Sequence, residues 1–210
     1  MMRATPAFAD RLRSMGRLSF VAALAALAGA CTSLSSAPTT FDLTAPRQNV
    51  GAAPIGLQVV VSEPTAIQTF EAERIIVKDA TGSVSFLGGG QWADRLPRLV
   101  QARLIQTFEN ASRIKAVSRP GDRIAADYQL NTELRSFQIL AETREAAVEI
   151  SVRLVNDKTG RIAAARVFSA RVPVPSLEAP VAAQALDKAL SSVLLQIVRF
   201  VSAGAGAGAA

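Results

Sequence analysis

The sequence contains no histidine. That removes the side chain most often used as a general base and as a metal ligand near neutral pH. It also excludes any Ser–His–Asp arrangement. There is one cysteine, Cys31, so no intrachain disulfide and no paired-cysteine metal or redox site can form. Basic residues number 23 against 17 acidic ones, yet no Lys/Arg run is present, and no nucleic-acid partner is expected. GxSxG, HExxH and calcium-loop spacings are all missing. The triplet Gly88-Gly89-Gly90 invites a phosphate-loop reading, but no Lys-Ser/Thr follows it, and a loop or bulge is the better assignment. Neither catalysis nor a cofactor or metal is expected.

What is present begins at the N-terminus. Arg3, Arg11, Arg13 and Arg17 precede the uncharged stretch LSFVAALAALAGA at residues 18–30. A basic segment, a short apolar segment and small residues form the layout of a secretory signal. Thirteen helical residues would span about 20 Å, short of the roughly 30 Å hydrocarbon core. Residues 1–30 are therefore expected to be a signal peptide, with Met1 or Met15 as the true start. Cys31 follows directly, in Leu27-Ala28-Gly29-Ala30-Cys31. This stretch resembles a lipobox, in which the bond between Ala30 and Cys31 is cut and the thiol carries the lipid. The alternative is an ordinary A-x-A cleavage site that leaves Cys31 free. Two or three acyl chains, at about 0.8 kcal/mol per buried CH₂, would anchor the chain stably. By the same resemblance, Thr32 after the cysteine implies sorting to the outer membrane.

Residues 31–56, rich in Ser, Thr, Pro, Ala and Gly, read as a flexible tether reaching roughly 25–30 Å. Phe41-Asp42-Leu43 interrupts it and is placed to dock on the domain. The folded part is expected over 57–201, and 202–210 reads as a disordered Ala/Gly tail. Strands are predicted at Leu57–Val61, Arg74–Val77, Ser83–Leu87 (ended by the glycines) and Ile114–Val117. Two long strands of period two run through Tyr128–Arg135 and Val148–Leu154. A turn at Asn156–Gly160 leads into a strand at Arg161–Val172. Helices are predicted from about Trp92 to Asn110 and from about Ala179 to Val201, each with one apolar stripe. The fold class is α/β: a two-layer sandwich of a mostly antiparallel or mixed β-sheet, with two amphipathic helices packed on one face.

The order of these parts resembles the ABC-type transport auxiliary lipoproteins, the paraquat-inducible protein C type among them. The residues that carry the likeness start with the lipobox cysteine and Phe41-Asp42-Leu43-Thr44-Ala45-Pro46. They continue with Glu73-Arg74-Ile75-Ile76-Val77, then Gln91-Trp92-Ala93-Asp94-Arg95-Leu96-Pro97, and end with Ala126-Asp127-Tyr128-Gln129-Leu130 in a strand reaching Ser136-Phe137. The resemblance implies a periplasm-facing, lipid-anchored outer-membrane protein. Its implied partners are an ABC transporter ATPase and permease and an MCE-domain (mammalian cell entry) protein, in a system that moves lipids. It also suggests homo-oligomeric rings, for which the residues themselves give no sign. The alternative function is a lipoprotein binding or assembly module for another envelope complex.

Two surface groups are candidates for a partner interface. Trp92, Asp94 and Arg95 form one; Trp and Arg are enriched at binding hot spots, although a Trp at this point would more often pack on its own sheet. Glu133 and Arg135, with Glu149 and Arg153, form the other; cross-strand ion pairs on a wet sheet face are the plainer reading. The anchor itself is directly testable. Mass spectrometry of the processed protein should find the terminal residue to be acylated Cys31, and a bare thiol there would remove the anchor.

Overall fold

In the computed structural model the described residues are 37–48, 55–111 and 114–207. The expected signal peptide, the cut after Ala30 and the lipidation at Cys31 all lie outside them. The chain from Pro38 onward forms one compact unit.

Two alternating strands give the fold its frame. Strand β7 (Tyr128–Leu140) and strand β8 (Glu145–Asn156) pair antiparallel along their whole length, from Tyr128 opposite Asn156 to Leu140 opposite Glu145. Tyr128, Leu130, Thr132 and Leu134 are buried. The phase then shifts, and Phe137 and Ile139 are the buried pair. Leu134 pairs with Ile150 but Ser136 with Glu149, so Arg135 is the extra residue of a β-bulge. The bulge turns the second half of the strand by one step and keeps both halves apolar toward the core. Strand β9 (Ile162–Pro173) follows β8 through a turn in which Asn156 Oδ1 accepts from Thr159 N at 3.0 Å and Thr159 Oγ1 at 3.1 Å.

The far edge of β7 is shared. Strand β2 (Ile55–Val61), the short β3 (Thr65–Ala66) and β4 (Arg74–Lys78) lie beside it in succession, all parallel to it. Outside β2 lies β6 (Ile114–Ser118), and outside β4 lies β5 (Val84–Trp92). A short β1 (Thr39–Phe41) completes a nine-stranded mixed sheet by pairing parallel with β5. Two helices cover it, α1 (Leu96–Ala111) and α2 (Ala179–Ala207), with α2 lying against β8 and β9. Leu96, Val100, Leu104 and Phe108 of α1, and Leu186, Leu190, Val193, Leu194, Ile197 and Val201 of α2, join one core with the sheet. The expected two-layer α/β sandwich is the observed one.

Several boundaries differ from expectation. The strand expected to stop at Leu87 runs through Gly88-Gly89-Gly90 to Trp92. Arg74 pairs with Gln91 and Ile76 with Phe86, so β5 carries extra residues across the glycines, and Gly89 takes a φ of +78° there. The helix expected from Trp92 starts at Leu96. The Trp92 amide donates to Glu73 O at 2.6 Å, and Pro97, lacking an N–H, suits the first turn. The tether expected over 31–56 is not free throughout: Thr39–Phe41 is a sheet strand and Leu43 is buried. The expected tail from Ser202 instead continues α2 through Ala207.

The β4–β5 connection is closed by Asp79. Its Oδ1 accepts from Thr81 Oγ1 at 2.7 Å and from the amides of Thr81 and Ser83 at 2.9 Å. The Thr81 hydroxyl, helped by these amides, holds the Asp79 carboxyl below its ordinary range.

Among the described glycines, Gly90 has the tightest surroundings. A Cβ there would stand 2.6 Å from Ala179 Cβ and 2.7 Å from Phe41 Cε2. Gly90→Ala should therefore cost roughly 1–3 kcal/mol in a urea melt. Gly88→Ala, with nothing within 4 Å, serves as the control and should cost visibly less.

Candidate functional site

The segment from Trp92 to Arg95 turns the chain out of β5 and into α1, and the turn sends its side chains to different places. Trp92 is 1% exposed and meets Phe137 edge-on, with ring centroids 5.7 Å apart at 83°. Such pairs contribute about 0.5–1.5 kcal/mol beyond the area they bury. Trp92 is thus a core side chain that a partner cannot reach, and it leaves the candidate interface. Asp94 accepts from the Arg95 amide at 2.7 Å and lies 3.5 Å from Arg98 Nη1, one turn into the helix. A carboxylate at this position complements the exposed amides and positive end of α1.

Arg95 is the connecting residue. Its guanidinium donates from Nη1 to Glu71 at 2.9 Å and from Nη2 to Glu63 at 3.2 Å, with nearly half its side chain exposed. It therefore ties the start of α1 to both ends of the 63–71 connection between β2 and β4. Beside it, an open groove of about 640 Å³ is lined by Glu63, Asp94, Arg98, Gln101 and Arg119, among others. The groove floor is fixed from below: the Gln101 amide is buried and donates to Val61 O at 2.9 Å.

The second candidate group lies across the same connection. Thr65 pairs with Glu133, and Thr65, Ala66 and Ile67 border a depression with Glu133, Leu134 and Arg135. Arg135 Nε contacts Glu133 Oε2 at 3.5 Å. The expected cross-strand ion pairs do not form. Glu133 faces Ser151, Arg153 faces Asn131, and Glu149 faces Ser136. Among the described residues, Arg135–Glu133, two apart on one strand, is the only ion pair in that row. The bulge at Arg135 moves the two strands out of step and separates Arg135 from Glu149. Asp94 and Arg95 on one side, and Glu133 and Arg135 on the other, thus flank one short surface connection. No group of three or more His, Cys, Asp or Glu suited to a metal occurs among the described residues.

One element was only half visible in the sequence. The stretch from Thr39 to Arg47 straps the helices. Leu43 is 2% exposed, Ala93 N donates to Phe41 O at 2.8 Å, and Arg103 pairs with Asp42. Thr44 gives both its amide and its hydroxyl to Asp187 of α2, each at 2.7 Å. Phe41-Asp42-Leu43 was the available signal, since two large apolar side chains stand in an otherwise small and polar stretch.

Residues 40–198, from the strap to near the end of α2, match the family of ABC-type transport auxiliary lipoprotein components. The chain belongs to that family. A Bradyrhizobium diazoefficiens relative named uncharacterized protein bll6063 is 37% identical over 166 residues, which is 76% of this chain. The chain spans only 43% of that relative's length. The crystal structure of protein XCC0632 from Xanthomonas campestris superposes with a TM-score of 0.74 at 23% identity, covering 81% of this chain and 99% of that one. A second crystal structure, of an uncharacterized protein, gives 0.63 at 10% identity, over 79% of this chain and 99% of the other. At these identities the structures speak for the fold alone.

The Arg95 contacts are exposed, and pairs of that kind contribute about 0–1 kcal/mol. Arg95→Ala should accordingly lower stability by no more than about 1 kcal/mol per lost pair in denaturant unfolding. A loss of several kcal/mol would instead make Arg95 a structural keystone and withdraw it as an interface residue.

Proposed function

We propose that this chain is a non-catalytic accessory lipoprotein of an ABC/MCE-type lipid transport system. Acyl chains on Cys31 hold it at the outer membrane, and its folded domain docks the periplasmic part of the machinery. In this reading residues 1–30 are removed on export. The observation that carries the proposal is the family match across 40–198, which takes in the strap, the sheet and both helices. The absence of histidine and the single cysteine, placed directly after an apolar leader, support the non-catalytic and anchored parts. The docking surface is assigned to the two sides of the 63–71 connection, with Asp94 and Arg95 on one and Glu133 and Arg135 on the other. Charged, solvent-facing groups of this kind steer encounters and set specificity more than they supply raw affinity.

Affinity capture of the lipoprotein from detergent-solubilised envelopes tests the proposal. An ATPase, a permease and an MCE-domain protein should be recovered together. Arg95→Glu combined with Arg135→Glu should reduce that recovery severalfold while the far-ultraviolet circular dichroism stays unchanged. Capture without any of the three proteins would overturn the transport role.

A further inference from the structure

The first strand fixes the direction in which the chain leaves the domain. Thr39, Thr40 and Phe41 pair in parallel with Gly90, Gln91 and Trp92. Followed backward from Phe41 to Thr39, the strand runs the way β5 comes from, toward the β4–β5 hairpin closed by Asp79. From Thr39 to Cys31 there are eight residues, which stretch to about 26–29 Å at most. From Gly90 back to Gly82 at the hairpin tip there are also eight, spanning at most roughly 26 Å at strand rise and less across the bulge. A lipid-bearing Cys31 therefore stays within about 26–29 Å of Thr39, a distance of the same order as the length of the hairpin.

Part of the exposed apolar surface lies at that end of the domain. Of the seven large apolar side chains exposed among the described residues, three are here. Val84 is 45% and Phe86 47% exposed, two apart on β5. Leu177, 42% exposed, lies in the connection before α2. The same connection is tied to this end, because Val174 N donates to Arg144 O in the β7–β8 turn at 2.7 Å. Arg74 stacks over the Phe86 ring at 4.7 Å, an aromatic–cation pair of the sort that suits a headgroup boundary. Lys78 and Asp79 balance each other in residues 78–87, and Arg74 on the Phe86 ring adds one positive charge.

Resting on the reading that Cys31 is acylated, we infer that the β4–β5 hairpin is a second membrane contact. Val84 and Phe86 enter the interfacial layer of the bilayer that holds the acyl chains, and the partner is a lipid surface of either charge. Singly exposed apolar side chains need no explanation. Here, however, the leash to an acylated Cys31 is short enough to keep these particular ones within reach of the bilayer. The contact would fix the domain's orientation and present the turn at Asn156–Gly160, at the opposite end of β8, to the periplasm.

The test uses the full-length acylated protein in phosphatidylcholine vesicles, with a fluorophore placed through Ser83→Cys or, at the far turn, through Lys158→Cys. Quenchers carried on lipid chains at shallow depth should dim the Ser83 probe severalfold more than the Lys158 probe. Adding Val84→Glu and Phe86→Glu should abolish that difference while the protein still floats with the vesicles. Equal, weak quenching at both positions in protein that floats would overturn the hairpin contact and leave the anchor standing. Protein that stays in the aqueous fraction and takes two labels per chain instead of one would show a free Cys31, and would overturn both. Self-quenching of the Ser83 probe without lipid quenching would assign the patch to a second copy of the chain and reject the membrane.

Discussion

Everything in the domain is registered against Tyr128–Leu140. One edge of that strand is taken up by β8 from end to end, and the other is divided among β2, β3 and β4. One face of that strand packs on the core, and a slip by one residue would turn its apolar side chains outward. The extra residue at Arg135 is a controlled version of that slip. It reverses the facing at mid-strand, so that Leu134 and Phe137, three apart, are both interior. The local twist gained at a bulge also lets three separate strands share the remaining edge.

The helices are positioned by what this sheet leaves uncovered. The long C-terminal helix is apolar enough between Ala179 and Ala203 to resemble a membrane span, with a mean hydropathy of 1.3, but 61% of its most apolar stretch is buried inside the protein. Its alanines at 182, 183, 185 and 189 are buried, and small side chains let a helix approach its neighbours closely. The strap at Thr39–Arg47 then closes the seam between sheet and helices, with Leu43 contributing about 1.5–3 kcal/mol of burial and the Asp187 carboxylate gripping Thr44. The β1–β5 edge is where sheet, strap and α2 meet, which explains why Gly90 can carry no side chain.

Much of this was legible in the residues. The period-two runs around Leu130 and Ile150, the Asn156–Gly160 turn and the Leu-rich stripes are local signals, and each produced an element where expected. Signals that depended on a distant partner were misread. Gly88-Gly89-Gly90 resembles a strand terminator until Phe41 and Ala179 are seen crowding Gly90. Trp92 resembles a helix residue until its amide is found bonded to Glu73. The strap resembles linker because its pairing partner lies about fifty residues further along. In the candidate site the charges at Asp94, Arg95, Glu133 and Arg135 were visible as surface residues. Their common neighbour, the 63–71 connection, was not, because it arises only from parallel pairing between strands far apart in sequence.

The parallel alignment of Thr39–Phe41 with Gly90–Trp92 has a mechanical meaning. Tension transmitted through residue 38 along the strand axis loads the three-residue strand in shear, so its interstrand bonds share the force and must break together. A strand joined at the same edge as a hairpin would instead peel open one bond at a time. A pull on the domain against residue 38 would thus meet a junction loaded in shear rather than one that peels.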